Sequence, residues 1–263
     1  MDPLHSVRVS RFPIKSYTYF AVVCWLGAVL LPGRVDATLI VYRNAALFAA
    51  ATAGRTTNVV NFDSTAVGSV LTSSNYQGIV FGANPNIVGN LIVTDGSLAI
   101  SNGLKAFSGT RFLGSDAGEL ITLGTNQSFS FSFQSNVSAV GMYIISESQL
   151  GSGEIGMRVG VGAGATSAVI DPLNGNEIAL TGGTATPSFA YFIGIADTNT
   201  SGILPAITVF PGSTTASAFG IDNITSTITA VPEPASLLMI SAAIVAGMGH
   251  CARRRTRKSL AKF

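Results

Sequence analysis

Between Thr38 and Ala230 the chain has no cysteine and no histidine. A disulfide framework is excluded there. So are zinc sites built from Cys and His, and Ser-His or Cys-His nucleophilic machinery. The single tryptophan, Trp25, also lies outside this stretch, so a sugar-stacking surface would need Tyr or Phe. Charge is scarce too, at 11% of residues, while glycine is frequent at 29. Long helical proteins need many Glu, Lys and Arg, so this composition points to β structure with many turns.

The formal net charge of +2 conceals a segregation. Residues 1–37 carry Arg8, Arg11, Lys15 and Arg34, and the tail carries Arg253, Arg254, Arg255, Arg257, Lys258 and Lys262. Residues 38–230 hold five basic side chains against ten acidic ones, a net of −5. No basic stripe exists to neutralise phosphates, which speaks against a nucleic-acid partner.

Both ends read as addresses. Residues 1–37 have a basic start, the apolar run FAVVCWLGAVLL at 20–31, the helix breakers Pro32 and Gly33, and Val35-Asp36-Ala37 with small residues at both recognition positions. This is the pattern of a secretory signal peptide, with signal peptidase cutting after Ala37. The alternative is an uncleaved anchor, for which the apolar run is short. Cys24 sits inside that run and reads as one more apolar residue. At the other end, residues 235–252 carry no charge except through His250. As a helix they would span ~27 Å, close to the ~30 Å of a bilayer's hydrocarbon core. The basic cluster at 253–258, with Arg253, Arg254 and Arg255 leading, would stay cytoplasmic. The middle segment would then lie across the membrane.

Val231-Pro232-Glu233-Pro234-Ala235-Ser236, the apolar stretch and the arginines stand in one order at the terminus. This tail, 231–263, resembles the PEP-CTERM sorting signal. The resemblance implies an exosortase-type processing enzyme as partner, with Pro232, Glu233 and Pro234 as its substrate motif. It also implies export across the inner membrane of a Gram-negative bacterium, and a destination at the cell surface or in an exopolysaccharide or biofilm matrix. Physically, the two prolines bias Val231 and Glu233 towards extended backbone, which suits a protease cleft. Equally, Pro234 suits the first turn of the helix that follows.

Residues 38–230 are mostly short runs with period-2 patterning. SFSFSFQ sets Phe129, Phe131 and Phe133 on one face. Strands are also predicted at 38–42, 57–62, 78–81, 90–94, 97–101, 119–123, 138–145, 154–161, 189–197, 204–210 and 217–225. One short helix is predicted, with Asn44 as its N-cap, AALFAAATA as its body and Gly54 past its end. The fold expected is one all-β domain, an antiparallel β-sandwich of jelly-roll kind.

VVNFDS (59–64), FIGIAD (192–197) and AFGIDNIT (218–225) carry a weaker likeness. They resemble segments of jelly-roll carbohydrate-binding modules. In those modules an acid near the first strand and one in the last often share a structural calcium. The resemblance nominates Asp63 and Asp222, with Asn223 as a lesser candidate. Calcium takes six to eight oxygens, and carboxylates suit it. The plainer alternative is that both aspartates cap turns or accept backbone N–H bonds.

Other motifs fail on context. Gly151-Ser-Gly-Glu-Ile-Gly156 matches G-x-G-x-x-G, but a strand pattern follows where dinucleotide binding needs a helix. DPLNGNE (171–177) departs from EF-hand spacing. The carboxylate pairs Asp116/Glu119 and Glu147/Glu154 are close in sequence, and paired carboxylates can hydrolyse glycosides without histidine. Tyr76, Tyr143 and Tyr191 could present rings to sugars, though strand aromatics are more often core. The reading is of an exported, non-enzymatic surface or matrix protein with a structural or interaction role. The alternative is a calcium-stabilised carbohydrate-binding module, and a carboxylate-based hydrolase ranks below both.

Overall fold

The computed structural model describes residues 38–82, 87–97, 104–124, 127–160, 165–172, 177–180, 188–198, 204, 206–212 and 217–228. The chain divides into two units, Met1–Asp36 and Ala37–Phe263, and every described residue belongs to the second. The signal segment, the motif 232–234, the apolar stretch 235–252 and the arginines lie outside the described residues. Among the described residues no helix is long and apolar enough to cross a membrane.

In chain order the elements are β1 (Leu39–Tyr42), α1 (Ala45–Ala51), β2 (Thr56–Val60), β3 (Asn75–Tyr76), β4 (Ile79–Phe81), β5 (Leu91–Thr94), β6 (Phe112–Ser115), β7 (Ile121–Leu123), β8 (Phe129–Phe133), β9 (Val137–Ser146), β10 (Ile155–Val159), β11 (Thr166–Val169), β12 (Glu177–Leu180), β13 (Ser188–Asp197), β14 (Ile207–Pro211) and β15 (Ser217–Ile228). They form two antiparallel sheets. The nine-stranded sheet runs β1-β13-β9-β15-β6-β5, with β12 also on β13 and both β2 and β7 also on β15. The six-stranded sheet runs β11-β10-β14-β8-β4-β3.

Period-2 patterning explains the sandwich. Phe129 and Phe131 of β8, Ile207 and Val209 of β14, and Ile155, Met157 and Val159 of β10 point inward. They meet Val140, Met142 and Ile144 of β9 and Tyr191, Ile193 and Ile195 of β13 in one shared core. The predicted β-sandwich is therefore what forms.

β9 and β13 are buried along almost their whole length on both faces. That is why their sequences are near-continuous apolar runs rather than alternating ones. Two different covers lie on the outer face. The first is α1. Asn44 Oδ1 accepts from the N–H groups of Ala46 (2.9 Å) and Leu47 (3.1 Å), capping the helix as predicted. The helix inserts Phe48 beside Phe192, ring centroids 5.3 Å apart. Gly141 and Gly194 are directly paired across β9 and β13, and their missing side chains make the room for Phe48. A Cβ on Gly194 would stand 2.8 Å from Phe48 Cδ2, and one on Gly141 2.5 Å from Phe192 Cζ. Burying a phenylalanine in such a slot contributes about 1.5–3 kcal/mol. The second cover is the strap of residues 104–111, which packs Leu104 with Phe112, Ile145 and Ala190 and stacks Phe107 on Tyr143.

The free edge of β5 is blunted by the segment before it. Gly68 N–H donates to Val93 O and Leu71 N–H to Leu91 O, both at 2.8 Å. Four strands escaped prediction: β3, β6, β11 and β12. Their sequences, NY, FLGS, TSAV and EIAL, are too short or too mixed to show a period. The strand predicted at 97–101 starts at Ser97, which is not in a strand, and otherwise lies outside the described residues. The strand predicted from 119 begins only at Ile121, because Glu119 adopts a left-handed backbone (φ 64°) in the turn before it.

Candidate functional site

Asp63 and Asp222 are brought together on the outer face of the nine-stranded sheet, under the strap. Asp222 points outward from β15 opposite Tyr143 of β9, and its side chain is fully buried. Its Oδ2 accepts from the Ser108 N–H at 2.9 Å, and its Oδ1 from the Asn223 N–H at 2.7 Å. Asp63 lies three residues beyond β2. Its Oδ1 accepts from the N–H groups of Thr110 (2.7 Å) and Arg111 (3.1 Å). The Arg111 guanidinium returns the contact, donating to the carbonyls of Asp63 (2.8 Å) and Thr65.

Asn223 joins through a β-bulge. The register of β15 against β9 shifts between Asp222 and Thr225, and Asn223 takes φ 47°. Asparagine tolerates this left-handed conformation better than most residues. The bulge re-aims its side chain, whose Oδ1 accepts from the Ser108 hydroxyl at 3.0 Å. Gly109, at φ 66°, lies against the Asp63 carboxylate so closely that a Cβ would overlap it.

Burial above all, with a smaller push from the nearby Asp63 charge, lifts the Asp222 carboxyl to about 6 against the lowering pull of the backbone N–H groups. Whether the set suits calcium is a question of donors. Two carboxylates and one amide oxygen fall short of six to eight oxygens, and four of these five oxygens already accept N–H or O–H bonds. Among the described residues no group of three or more His, Cys, Asp or Glu side chains is placed to hold a metal. What the residues present fit is a clamp on the strap.

The strap forms one wall of a cleft of about 340 Å³, lined by Asp95, Gly96, Leu104, Lys105, Ala106, Gly109 and Thr110. Small-molecule sites fall in roughly the 300–1,000 Å³ range and combine apolar lining with a few polar groups. Leu104 and Ala106 give the apolar part, and Asp95, Lys105 and Thr110 the polar part. Asp95 Oδ1 accepts from the Ser97 N–H at 3.1 Å. The Ser97 side chain's hydrogen bond is the main reason the Asp95 carboxyl stays below its ordinary value, with a smaller contribution from the Arg111 charge.

The other sequence candidates are dispersed. Asp116 accepts from the N–H (2.7 Å) and side-chain amide (2.9 Å) of Asn90, and Glu154 from the Gly151 N–H (2.9 Å), so both hold turns. Glu119 is fully buried and accepts from the Thr94 hydroxyl at 2.8 Å. Glu147, not Asp116, is its electrostatic neighbour. Burial and the Glu119 charge together raise the Glu147 carboxyl. Glycoside hydrolysis needs two carboxyl groups about 5–9.5 Å apart flanking the substrate. Among the described residues that line the cleft, Asp95 carries the one carboxylate. The tyrosines are not a platform either. Tyr76 stacks on Phe62, Tyr143 on Phe107, and Tyr191 is buried with its hydroxyl accepting from the Leu150 N–H at 2.9 Å. Gly151–Gly156 runs into strand β10, so no helix N-terminus follows it.

Sequence reading found the two aspartates but missed the strap and the cleft. Residues 104–111 have no periodicity, and only the sheet brings them to Asp222.

No family model matches the chain, and no curated protein matches it. Among solved structures it matches a carbohydrate-binding module, described as TmCBM61 in complex with beta-1,4-galactotriose. The two share 14% sequence identity, and the match covers 51% of this chain and 81% of that one with a TM-score of 0.16. A superposition that poor carries no argument about this chain's ligand.

Proposed function

We propose that residues 38–230 form a non-catalytic binding module for an extracellular saccharide, carried by an exported surface or matrix protein, and that the saccharide occupies the cleft beside the strap. The observation that carries this reading is the cleft itself. It has small-ligand size, mixed lining, one carboxylate among the described residues and a wall pinned at both Asp63 and Asp222. Pinning matters because a preordered wall loses little conformational freedom when a ligand arrives. The adjacency of β2 and β15 accords with a jelly-roll variety of sandwich. The address rests on the sequence of the tail: export, passage through a membrane-anchored stage, and processing by an exosortase-type enzyme at Pro232-Glu233-Pro234. In this reading the tail determines where the module is delivered and the cleft determines what it holds there.

The test is calorimetric titration of the full chain, in mild detergent, with a panel of neutral mono-, di- and trisaccharides. At least one sugar should bind, and Lys105→Ala should weaken it about tenfold, the scale of one lost charge-assisted hydrogen bond. Absence of binding across the panel would leave a purely structural role in the matrix.

A further inference from the structure

The outer face of the six-stranded sheet carries an ordered polar row. Register places Ser167 of β11 opposite Arg158 of β10, Arg158 opposite Thr208 of β14, and Thr208 opposite Ser130 of β8. At the usual strand spacing of ~4.8 Å the row is about 14 Å long. All four side chains point away from the core, because their strand neighbours Ala168, Met157, Val159, Ile207, Val209, Phe129 and Phe131 point into it. The Ser130 and Thr208 hydroxyls are 3.1 Å apart.

Arg158 is the one charged residue in these six strands among the described residues. Its guanidinium carbon sits 5.5 Å from the centroid of the Phe210 ring, a cation–π distance. Phe210 can lie flat there because its cross-strand partner is Gly156, where a Cβ would come within 2.6 Å of Phe210 Cζ. The Arg158 Nε is buried with no hydrogen-bond partner among the described residues. The guanidinium is thus held in place by a ring, on a sheet whose strands carry no acid among the described residues.

We infer that this row is a second binding surface, for a linear acidic polysaccharide, with Arg158 receiving a sugar carboxylate and the flanking Ser and Thr hydroxyls bonding to ring hydroxyls. The chemistry selects this occupant. A guanidinium fork matches a carboxylate in two parallel hydrogen bonds. The hydroxyl row supplies donors and acceptors to a polyhydroxylated chain, whereas a protein partner would be expected to meet an aromatic and apolar centre. The row lies on the six-stranded sheet, while the cleft lies over the nine-stranded one, so the two proposals stand or fall separately.

The test is affinity electrophoresis of the full chain in mild detergent through gels containing polygalacturonate or neutral dextran. Polygalacturonate should retard the wild-type chain, less so as salt rises, and dextran should not. Arg158→Gln should weaken retardation about tenfold and Thr208→Val about threefold, and Arg158→Lys should recover part of it. Equal retardation of wild type and Arg158→Gln would overturn the inference, as would an Arg158-dependent retardation in dextran as strong as that in polygalacturonate. So would an Arg158-dependent self-association without retardation by polygalacturonate, which would make this face a contact between copies. Because Thr208→Val removes one hydroxyl at nearly constant volume, it keeps the test valid should Arg158→Gln fold poorly.

Discussion

Asp63 and Asp222 hold one turn between them: Asp222 takes the N–H of Ser108, and Asp63 takes those of Thr110 and Arg111. The two acids are far apart in sequence, and the turn they share comes from a third place. Their common role is to fix the strap over β9 and β15, and the strap in turn forms a wall of the cleft.

Asp222 should make stability fall as pH rises. Burial lifts its folded value from 3.8 to about 6, so the native state holds the proton more tightly than the unfolded chain. Its contribution is fully present below about pH 4 and is lost as pH climbs through about 6. The difference corresponds to about 3 kcal/mol. Urea unfolding at pH 4 and pH 7 measures it. Asp222→Asn should flatten the change between those pH values by about that amount, and an unchanged slope would remove Asp222 as its source.

Asp63→Ala should cost about 1–3 kcal/mol, because two N–H groups of the strap lose a charged acceptor. The same variant should weaken saccharide binding, since the cleft wall is freed. Thermal melts with EDTA or with millimolar calcium check the donor analysis. The clamp account expects equal melting temperatures. A calcium-dependent rise abolished by Asp222→Asn would place a metal between the carboxylates.

Gly194→Ala should destabilise by about 1–3 kcal/mol through overpacking against Phe48. The readout is differential. The α1 helix should lose protection from hydrogen exchange while β14 and β8, in the other sheet, keep theirs. Uniform loss across both sheets would show that the slot does not act locally.

Replacing Pro232-Glu233-Pro234 by alanines in the native host should stop processing and release. Intact-mass measurement decides it: the wild-type product should begin near Thr38 and end near the motif, and the variant should keep Arg253, Arg254 and Arg255. A wild-type product that still carries the arginines would end the sorting account.

The parts of the fold that could be read from sequence were those whose signal is local. The Phe129/Phe131/Phe133 alternation, the apolar runs of β9 and β13, and the Asn44 cap with Gly54 beyond the helix each follow from neighbours in the chain, and each is found. The turn before β7 was hidden because a glutamate, not a glycine, takes the left-handed backbone at 119. Closeness in sequence does not tell which carboxylates meet in space: Asp116 turns away to Asn90, while the Glu119 charge reaches Glu147. The cleft left no sequence trace at all. Its lining comes from two separate stretches, 95–96 and 104–110, and only their meeting gives it meaning.

The most direct measurement is hydrogen–deuterium exchange of the full chain with and without a saccharide that binds it. The account predicts slowed exchange in the peptides covering residues 95–97 and 104–111, with the rest of the nine-stranded sheet unchanged. Binding that leaves the 104–111 strap unprotected would contradict the cleft as the site.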